Sequence, residues 1–423
     1  MNAQTLQYVR KHDNDDVRLL ALRGCKDPNV DLTLALQQIQ GRQTARQKLP
    51  SWAAIDGLLY PPHINMEQCS SEQTAKYKAS VAKRLVSSLF TVHSSLEAKQ
   101  ASSSAQLSPH TSHLIDLTGG FGVDFAWMSD CFDTATYVER DAQLFAVSSS
   151  NFDILGKKVK KICSDGMDVF HSLDHVTMLF LDPARRDEHG NRTYGIGDCT
   201  PDVLSIKDKL LQKADIVMLK LSPMLDWRKA VNDLGAHQVS EVHIVSVDGE
   251  CKELLIVMQR EVNGITIFCV NNNSIFTFHN TSLTPRPLPH TSPLTSFTPH
   301  LSPHDPRFLL VPNASVMKAG CFAELSEQFG VEQIAANSHL FISAEPVADF
   351  PGRQFRIEDV TTMGKRELKQ ALLGLKQANI AVRNFPLSVA ELRRRLKLDE
   401  GGSKYIFATT LANGEKVLII CQR

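Results

Sequence analysis

One short stretch, His113–Asp124 (HLIDLTGGFGVD), constrains this chain more than any other. Leu114, Ile115 and Leu117 form a brief apolar run, and Gly119, Gly120 and Gly122 follow it directly. Glycine tolerates positive φ and lets backbone N–H groups approach a ligand with no Cβ in the way. The junction therefore predicts a strand, a tight turn and a helix. Beyond it, a second apolar run (Ala135–Val138) ends in Glu139, with Arg140 and Asp141 next. In a nucleoside-binding α/β unit, a carboxylate is needed there to accept hydrogen bonds from ribose hydroxyls.

The dinucleotide version of this motif sets a pyrophosphate on the helix N-terminus, where acidic side chains are unfavourable. Here Asp116 ends the first strand and Asp124 lies in the first helical turn. Two carboxylates flanking the turn suit a cationic ligand. S-adenosylmethionine, with sulfonium and ammonium groups, meets that requirement. The alternative is a purely structural βα turn.

At 423 residues the chain is too long for one ordinary core, and two or three domains are expected. Hydrophobic and charged fractions of 43% and 22% are those of a soluble globular protein. The formal net charge is zero, so any nucleic-acid contact must come from a local patch. Nine scattered cysteines with no CxxC pair suit a reducing, cytoplasmic setting and give no metal site. The N-terminus is too polar for a signal peptide, and no apolar run is long enough to span a membrane.

Residues 1–100 read as helical, with apolar spacing in Val17, Leu20, Ala21 and in Leu32, Ala35, Leu36, Ile39. Within Glu67–Ala79 (EQCSSEQTAKYKA), Ser70 or Ser71 can cap a helix carrying Thr74, Tyr77 and Lys78. This is either a capped amphipathic helix or a device that brings Thr74 and Lys78 to the carboxylate of the methyl donor. A Ser-rich linker, 101–112, follows. Residues 113–261 then alternate strand and helix, with strands at Leu114–Leu117, Ala135–Val138, Val159–Cys163, Met178–Leu181, Ile216–Leu221, Glu241–Val247 and Leu254–Gln259. Such alternation predicts an open, mostly parallel sheet with helices on both faces. The last two strands are joined too closely for a crossover helix and predict an antiparallel hairpin at the sheet edge.

This order of pieces resembles the class I S-adenosylmethionine-dependent methyltransferases, a Rossmann-like seven-stranded fold, over roughly residues 67–260. The resemblance implies that Asp116, Thr118, Gly119, Gly120, Phe121, Gly122 and Asp124 hold the amino-acid part of the cofactor. It assigns Glu139, beside Arg140, to the ribose, and Asp165, with Gly166 and Met167, to the adenine. The end of strand four, FLDPARRD (Phe180–Asp187), then lies near the transferred methyl, with Asp182 and Pro183 touching the cofactor. Amino-methylating nucleic-acid enzymes carry Asn or Asp, Pro, Pro and an aromatic there. This chain has Asp182 and Pro183 but continues with Ala184 and Arg185, so the stacking ring is missing, although a guanidinium can stack. The Asp-Pro-x-Arg ending is also similar to the 5-methyluridine enzymes, which need a cysteine nucleophile after strand five. KLSPMLD (Lys220–Asp226) offers Ser222 instead, which argues against carbon methylation. Asp182, Arg185 and Lys220 are the candidate catalytic residues, and Arg186 a phosphate or flipped-base contact. The plainer alternatives are a strand-end cap for Asp182 and a solvated loop for the arginines.

Residues 262–281 and 307–349 read as a small connecting ferredoxin-like α+β region, interrupted by 282–306, a Pro/Ser/Thr/His tract expected to be disordered. His290, His300 and His304 lie in that tract and are not read as a metal site. From Phe308 the pattern is a strand, a Pro312-Asn313 turn and one helix through Phe329. Beyond Pro351 it is strand Gln354–Val360, helix Lys365–Ala378, helix Ser388–Leu396, and strands Tyr405–Thr410 and Lys416–Cys421 joined at Asn413-Gly414. Pro351–Arg423 holds 14 Lys/Arg against 7 Asp/Glu, the footprint of an RNA-binding appendage. Arg393, Arg394, Arg395 and Lys397 are its densest cluster, or else a solvated helix face. VRNFPLS (Val382–Ser388) and GGSKYIFAT (Gly401–Thr409) resemble the THUMP-like domain of a bacterial methyltransferase family, here 350–423. True THUMP domains bind RNA, so the resemblance implies a tRNA or rRNA acceptor by analogy. The expectation is methylation of an RNA base, at nitrogen rather than carbon, without metal. The alternatives are a small-molecule or protein acceptor, or a cofactor-binding protein without turnover. Oligomeric state is left open.

Overall fold

The computed structural model describes residues 1–100, 111–185, 195–260, 262–280 and 308–423. The expected insertion 282–306, Arg186 and most of the expected linker lie outside the described residues. The chain divides into two compact units. The first comprises Met1–Glu241 with Leu254–Gly264, the second Val242–Glu253 with Ile265–Arg423.

The first unit begins with helices α1 (Ala3–Lys11), α2 (Val17–Arg23) and α3 (Leu32–Lys48), capped by the side chains of Asn2, Asp16 and Asp31. Val9, Leu20, Ala35 and Ile39 close a small core between them. Then come α4 (Pro50–Ala53), α5 (His63–Gln68) and α6 (Glu72–Gln100). From Ala45 onward the helical region shares one core with the glycine-turn domain: Leu49, Trp52, Tyr60 and Met66 join Phe121, Phe125 and Phe152. Trp52 meets the edge of Phe121 with ring centroids 5.5 Å apart. The Asn151 amide holds both backbone groups of Leu59 at 2.8 Å.

Ser112 is buried and bound to Asp133, so order resumes just before the first strand. Strands β1 (His113–Asp116), β2 (Thr134–Glu139), β3 (Lys160–Cys163), β4 (Val176–Leu181) and β5 (Ala214–Leu221) are all parallel. Helices α7 (Val123–Met128), α8 (Ala142–Ile154), α9 (Gly166–Ser172) and α10 (Val203–Lys213) alternate with them, and α11 (Trp227–Leu234) follows β5. The spatial order is β3-β2-β1-β4-β5. The order reverses at β1, and open α/β sheets bind ligands at the carboxyl ends of the strands beside such a switch point.

Strands β6 (Val239–Val247) and β7 (Glu250–Met258) follow in sequence and are neighbours in the sheet, as the expected hairpin requires. It is β7 that pairs antiparallel with β5, from Leu221↔Leu254 to Val217↔Met258. Leu254, Leu255, Ile256, Val257 and Met258 are buried on both faces, which suits an interior strand rather than an edge.

In the second unit, β8 (Ile265–Asn271) and β9 (Ser274–Asn280) form a hairpin that turns at Asn272 with φ 53°. Its second strand was not foreseen. The remaining strands are β10 (Phe308–Pro312), β11 (Glu332–Gln333), β12 (Phe341–Ser343), β13 (Gly352–Thr362), β14 (Asn379–Arg383), β15 (Lys404–Thr410) and β16 (Lys416–Gln422), in the order β11-β12-β10-β13-β16-β15-β14. Two expected helices change. The one through Phe329 breaks into α12 (Ala314–Ala319) and α13 (Phe322–Phe329), because Gly320 turns left-handed. The Lys365–Ala378 helix stops as α14 (Lys365–Ala371), and strand β14 follows unforeseen, parallel to β15. Helix α15 (Val389–Leu396), with a Ser388/Glu391 capping box, makes the crossover between them.

A Cβ on Gly41 would lie 2.2 Å from the Tyr60 Cβ, deep in the first unit. Gly41→Ala is expected to lower stability by roughly 1–3 kcal/mol through overpacking. Denaturant unfolding measures it, and an unchanged midpoint would contradict this packing.

Candidate active site

The turn after β1 is fixed from below. Gly119 N–H donates to the Val138 carbonyl at 2.8 Å, and Gly122 N–H to the Gly119 carbonyl at 2.9 Å. The Tyr137 hydroxyl donates to the Gly120 carbonyl, and Ser148 Oγ donates to the same oxygen at 3.2 Å. A Cβ on Gly119 would fall 2.2 Å from the Tyr137 ring. Only glycine lets the turn lie flat on that ring. Gly166, at the start of α9, comes as close to the Leu117 carbonyl, which brings the Asp165–Met167 segment against the turn.

Glu139 ends β2 half-buried. Its Oε2 accepts from Gly120 N–H at 2.7 Å and its Oε1 from Asp141 N–H at 2.8 Å. Each oxygen takes one backbone donor and keeps a lone pair for another. Asp165 caps α9 through Met167 N–H at 2.8 Å, and Arg140 approaches it at 4.0 Å. Glu139, Arg140, Asp165, Gly166 and Met167 therefore gather at the carboxyl ends of β2 and β3.

The expected pair of free carboxylates beside the turn is corrected. Asp116 is 1% exposed and accepts from Thr118 N–H at 2.9 Å. Burial pushes its carboxyl up to about 8, and the charges of Asp124 and Asp182 push the same way. It is mostly protonated at neutral pH. Asp124 is just as enclosed, and burial works against its ionisation. The Lys78 and Lys220 ammonium groups outweigh that and hold the carboxyl below its ordinary range. Lys78 Nζ lies 3.2 Å from Oδ1, Lys220 Nζ lies 3.5 Å from Oδ2, and Ser70 Oγ donates to Oδ2 at 2.7 Å. One flanking carboxyl is neutral and the other is already neutralised.

Lys78 is fully buried and also donates to Ser70 Oγ at 3.2 Å. Its ammonium thus spans Ser70 and Asp124. Thr74 serves the helix start: its N–H donates to Ser71 Oγ and its hydroxyl to the Ser71 carbonyl, both at 3.2 Å. Sequence reasoning took Ser70 for a cap and missed it as a partner of Asp124. Nearby Cys69 is no thiolate, because burial pushes its thiol up to about 11.

At the end of β4, Asp182 N–H donates to Thr118 Oγ1 at 2.7 Å, which ties this loop to the glycine turn. Lys220 Nζ donates to Asp182 Oδ2 at 2.5 Å. The Asp182 side chain is 40% exposed, whereas that of Lys220 is 12% exposed. A line of alternating charge, Lys78–Asp124–Lys220–Asp182, thus runs from the interior to the surface. Pro183 is buried, and Ala184–Arg185 form a short strand against Cys199–Thr200. The Arg185 side chain and all of Arg186 lie outside the described residues.

The basic cluster lies in the second unit and is not one uniform patch. Arg393 donates to the Ala378 carbonyl at 3.3 Å and lies 3.8 Å from Glu400. Arg394, Arg395 and Lys397 are exposed.

The parallel order β3-β2-β1-β4-β5 with antiparallel β7 beside β5, a glycine turn after β1 and a carboxylate ending β2 define the class I methyltransferase fold. Residues 352–423 match the THUMP domain-like family and residues 308–351 the ferredoxin-like domain family. The chain is similar to a proposed methyltransferase from Porphyromonas gingivalis W83, with 27% identity and a TM-score of 0.78, covering 99% of this chain and 97% of that one. The chain thus combines a methyltransferase-like fold with a C-terminal region that matches the THUMP domain-like family. Parts of it are also similar to an rRNA methylase from Streptococcus thermophilus (13% identity, 36% of this chain, 89% of that chain, TM-score 0.27). A proposed methyltransferase from Streptococcus mutans in complex with S-adenosylhomocysteine is similar to the same degree (13% identity, 35% and 88%, TM-score 0.27). No curated protein matches the chain. Among the described residues, no helix is long and apolar enough to cross a membrane, and no group of three or more His, Cys, Asp or Glu side chains could hold a metal ion.

The raised Asp116 carboxyl has a thermodynamic signature. The folded state keeps a proton that the unfolded chain releases above its ordinary value of 3.8. Stability from this group is complete below that pH and is lost as pH rises to about 8. Asp116→Asn removes the titration. Relative to this variant, the wild type is expected to lose on the order of a few kcal/mol between those limits. Denaturation at stepped pH measures the difference, and parallel profiles would contradict a protonated Asp116.

Proposed function

We propose that this chain transfers a methyl group from S-adenosylmethionine to a nitrogen of a base in structured RNA. The observation that carries the proposal is the Asp182–Lys220 pair at the carboxyl ends of β4 and β5, tied to the glycine turn through Thr118. The residues present fit the cofactor. Glu139 keeps a free lone pair on each oxygen for a ribose diol. On this reading Asp165, Gly166 and Met167, at the carboxyl end of β3, would hold the adenine.

The bound cofactor supplies a methyl on a positively charged sulfur that leaves as a neutral thioether. The protein's own task is positioning. Lys220 lies between Asp124 and Asp182 and holds the Asp182 carboxylate in place. Asp182 accepts a hydrogen bond from the acceptor amine, which aims the nitrogen lone pair, and it can take the proton that the amine must lose. The structure offers no thiolate at Cys69 and a serine at Ser222, so ring-carbon activation by a cysteine has no support.

The RNA acceptor rests on the basic C-terminal region and its THUMP domain-like match. All nine cysteines are thiols rather than disulfides, which fits a reducing compartment such as the cytoplasm. A small-molecule or protein acceptor is the second reading. Its support is that Arg185 stands where a stacking ring would be, with its backbone paired in a strand with Cys199.

Transfer of labelled methyl from S-adenosylmethionine into cellular RNA tests the proposal. Asp182→Ala is expected to lower transfer by about a hundredfold or more while cofactor binding persists. Label appearing in protein or small molecules would establish the second reading. Cofactor binding with no transfer to any acceptor would make the chain a binding protein.

A further inference from the structure

In the second unit, β14 and β15 run parallel, and Ala381 pairs with Phe407 and Arg383 with Thr409. Ala381 and Phe407 face the core that includes Ile334, Leu340, Leu411 and Val417. Side chains alternate along a strand, so Arg383 and Thr409 point to that same face at the carboxyl ends of both strands. Neither is satisfied there. Thr409 is 0% exposed, and its hydroxyl has no partner. Arg383 Nε is buried and unpartnered, and its one hydrogen bond runs from Nη1 to the adjoining Val382 carbonyl at 3.4 Å. Among the described residues Arg383 has no carboxylate partner. His339, beside Leu340, stacks on Phe322 and also leaves its Nδ1 buried and unpartnered. Burial, and after it the Arg383 charge, push the His339 imidazole below its ordinary range.

Unpartnered buried polar atoms are costly, and Arg383 Nε, Thr409 Oγ1 and His339 Nδ1 together are not what packing alone selects. A guanidinium, a hydroxyl and an imidazole are together the donors that hold a phosphate group. The carboxyl ends of parallel strands are where α/β sheets place such ligands. The geometry points to a phosphate-binding site formed by Arg383, Thr409 and His339. On the RNA reading above, on which this inference rests for its source, the group is a backbone phosphate of the acceptor strand. The exposed Arg394, Arg395 and Lys397 then add only diffuse attraction.

Two variants of the full chain test the site, Arg383→Met and the near-isosteric Thr409→Val. The probes are a labelled RNA hairpin, read by anisotropy across salt concentrations, and sodium phosphate, read by thermal shift. Arg383→Met is expected to weaken hairpin binding by about tenfold and to reduce the salt slope by about one. Thr409→Val is expected to weaken binding by about threefold while its melting temperature holds or rises, since an unpartnered buried hydroxyl has been removed. A merely structural Thr409 would not separate the two readouts. If the hairpin does not bind even to the wild type, but phosphate stabilises the wild type and neither variant, the site stands and its source is a free phosphate or nucleotide. Equal hairpin binding by all three proteins, with no thermal response to phosphate, would overturn the site and leave the RNA reading intact. No response to either probe in any protein would overturn both.

Discussion

The first unit depends on the line Lys78–Asp124–Lys220–Asp182, which starts at a fully buried ammonium and ends at the surface. Each buried charge would cost several kcal/mol alone, and only its neighbours of opposite sign make it tolerable. The four side chains come from α6, α7, β5 and the end of β4. Satisfying them fixes four elements against one another. It also explains why the N-terminal helices share a core with the sheet from Ala45 onward. They supply Lys78 and Ser70 to the floor of the candidate site and are therefore part of its construction. The line ends at the surface on Asp182, the carboxylate with most to do if an amine is the acceptor.

Much of this was legible because the signals are local. An apolar run broken by Gly119 and Gly120 reads as strand and turn in any context, and Glu139 follows at the expected distance. The sheet strands announced themselves by composition, and the unbroken apolar run Leu254–Met258 also carried the sign of an interior strand. What was not legible depends on distant partners. Nothing near Asn379–Arg383 marks it as a strand, because its identity comes from pairing with Lys404–Thr410. The Lys365–Ala378 segment looked helical through its leucines, but the chain turns at Gly374 with φ 79°.

The site shows the same division. The structure gathers the residues singled out around the glycine turn, but their charge states were not legible. Asp116 and Asp124 look alike in sequence. One is buried without a cation and keeps its proton, while the other sits between two lysines far away in the chain. Burial and pairing decide electrostatics, and neither can be read from spacing. The C-terminal unit repeats the lesson: the triple-arginine run drew attention, yet a guanidinium whose buried Nε lacks a partner is that of Arg383, a single residue at a strand end.

Calorimetric titration of the full chain with S-adenosylmethionine and with NAD, repeated on Glu139→Ala, tests the central claim most directly. The structure predicts that S-adenosylmethionine binds, that NAD does not compete, and that the variant binds at least about tenfold more weakly, as the loss of a charged hydrogen-bond acceptor for the ribose requires. Preference for NAD, or S-adenosylmethionine binding untouched by Glu139→Ala, would contradict the account of the glycine turn and of every residue arranged around it.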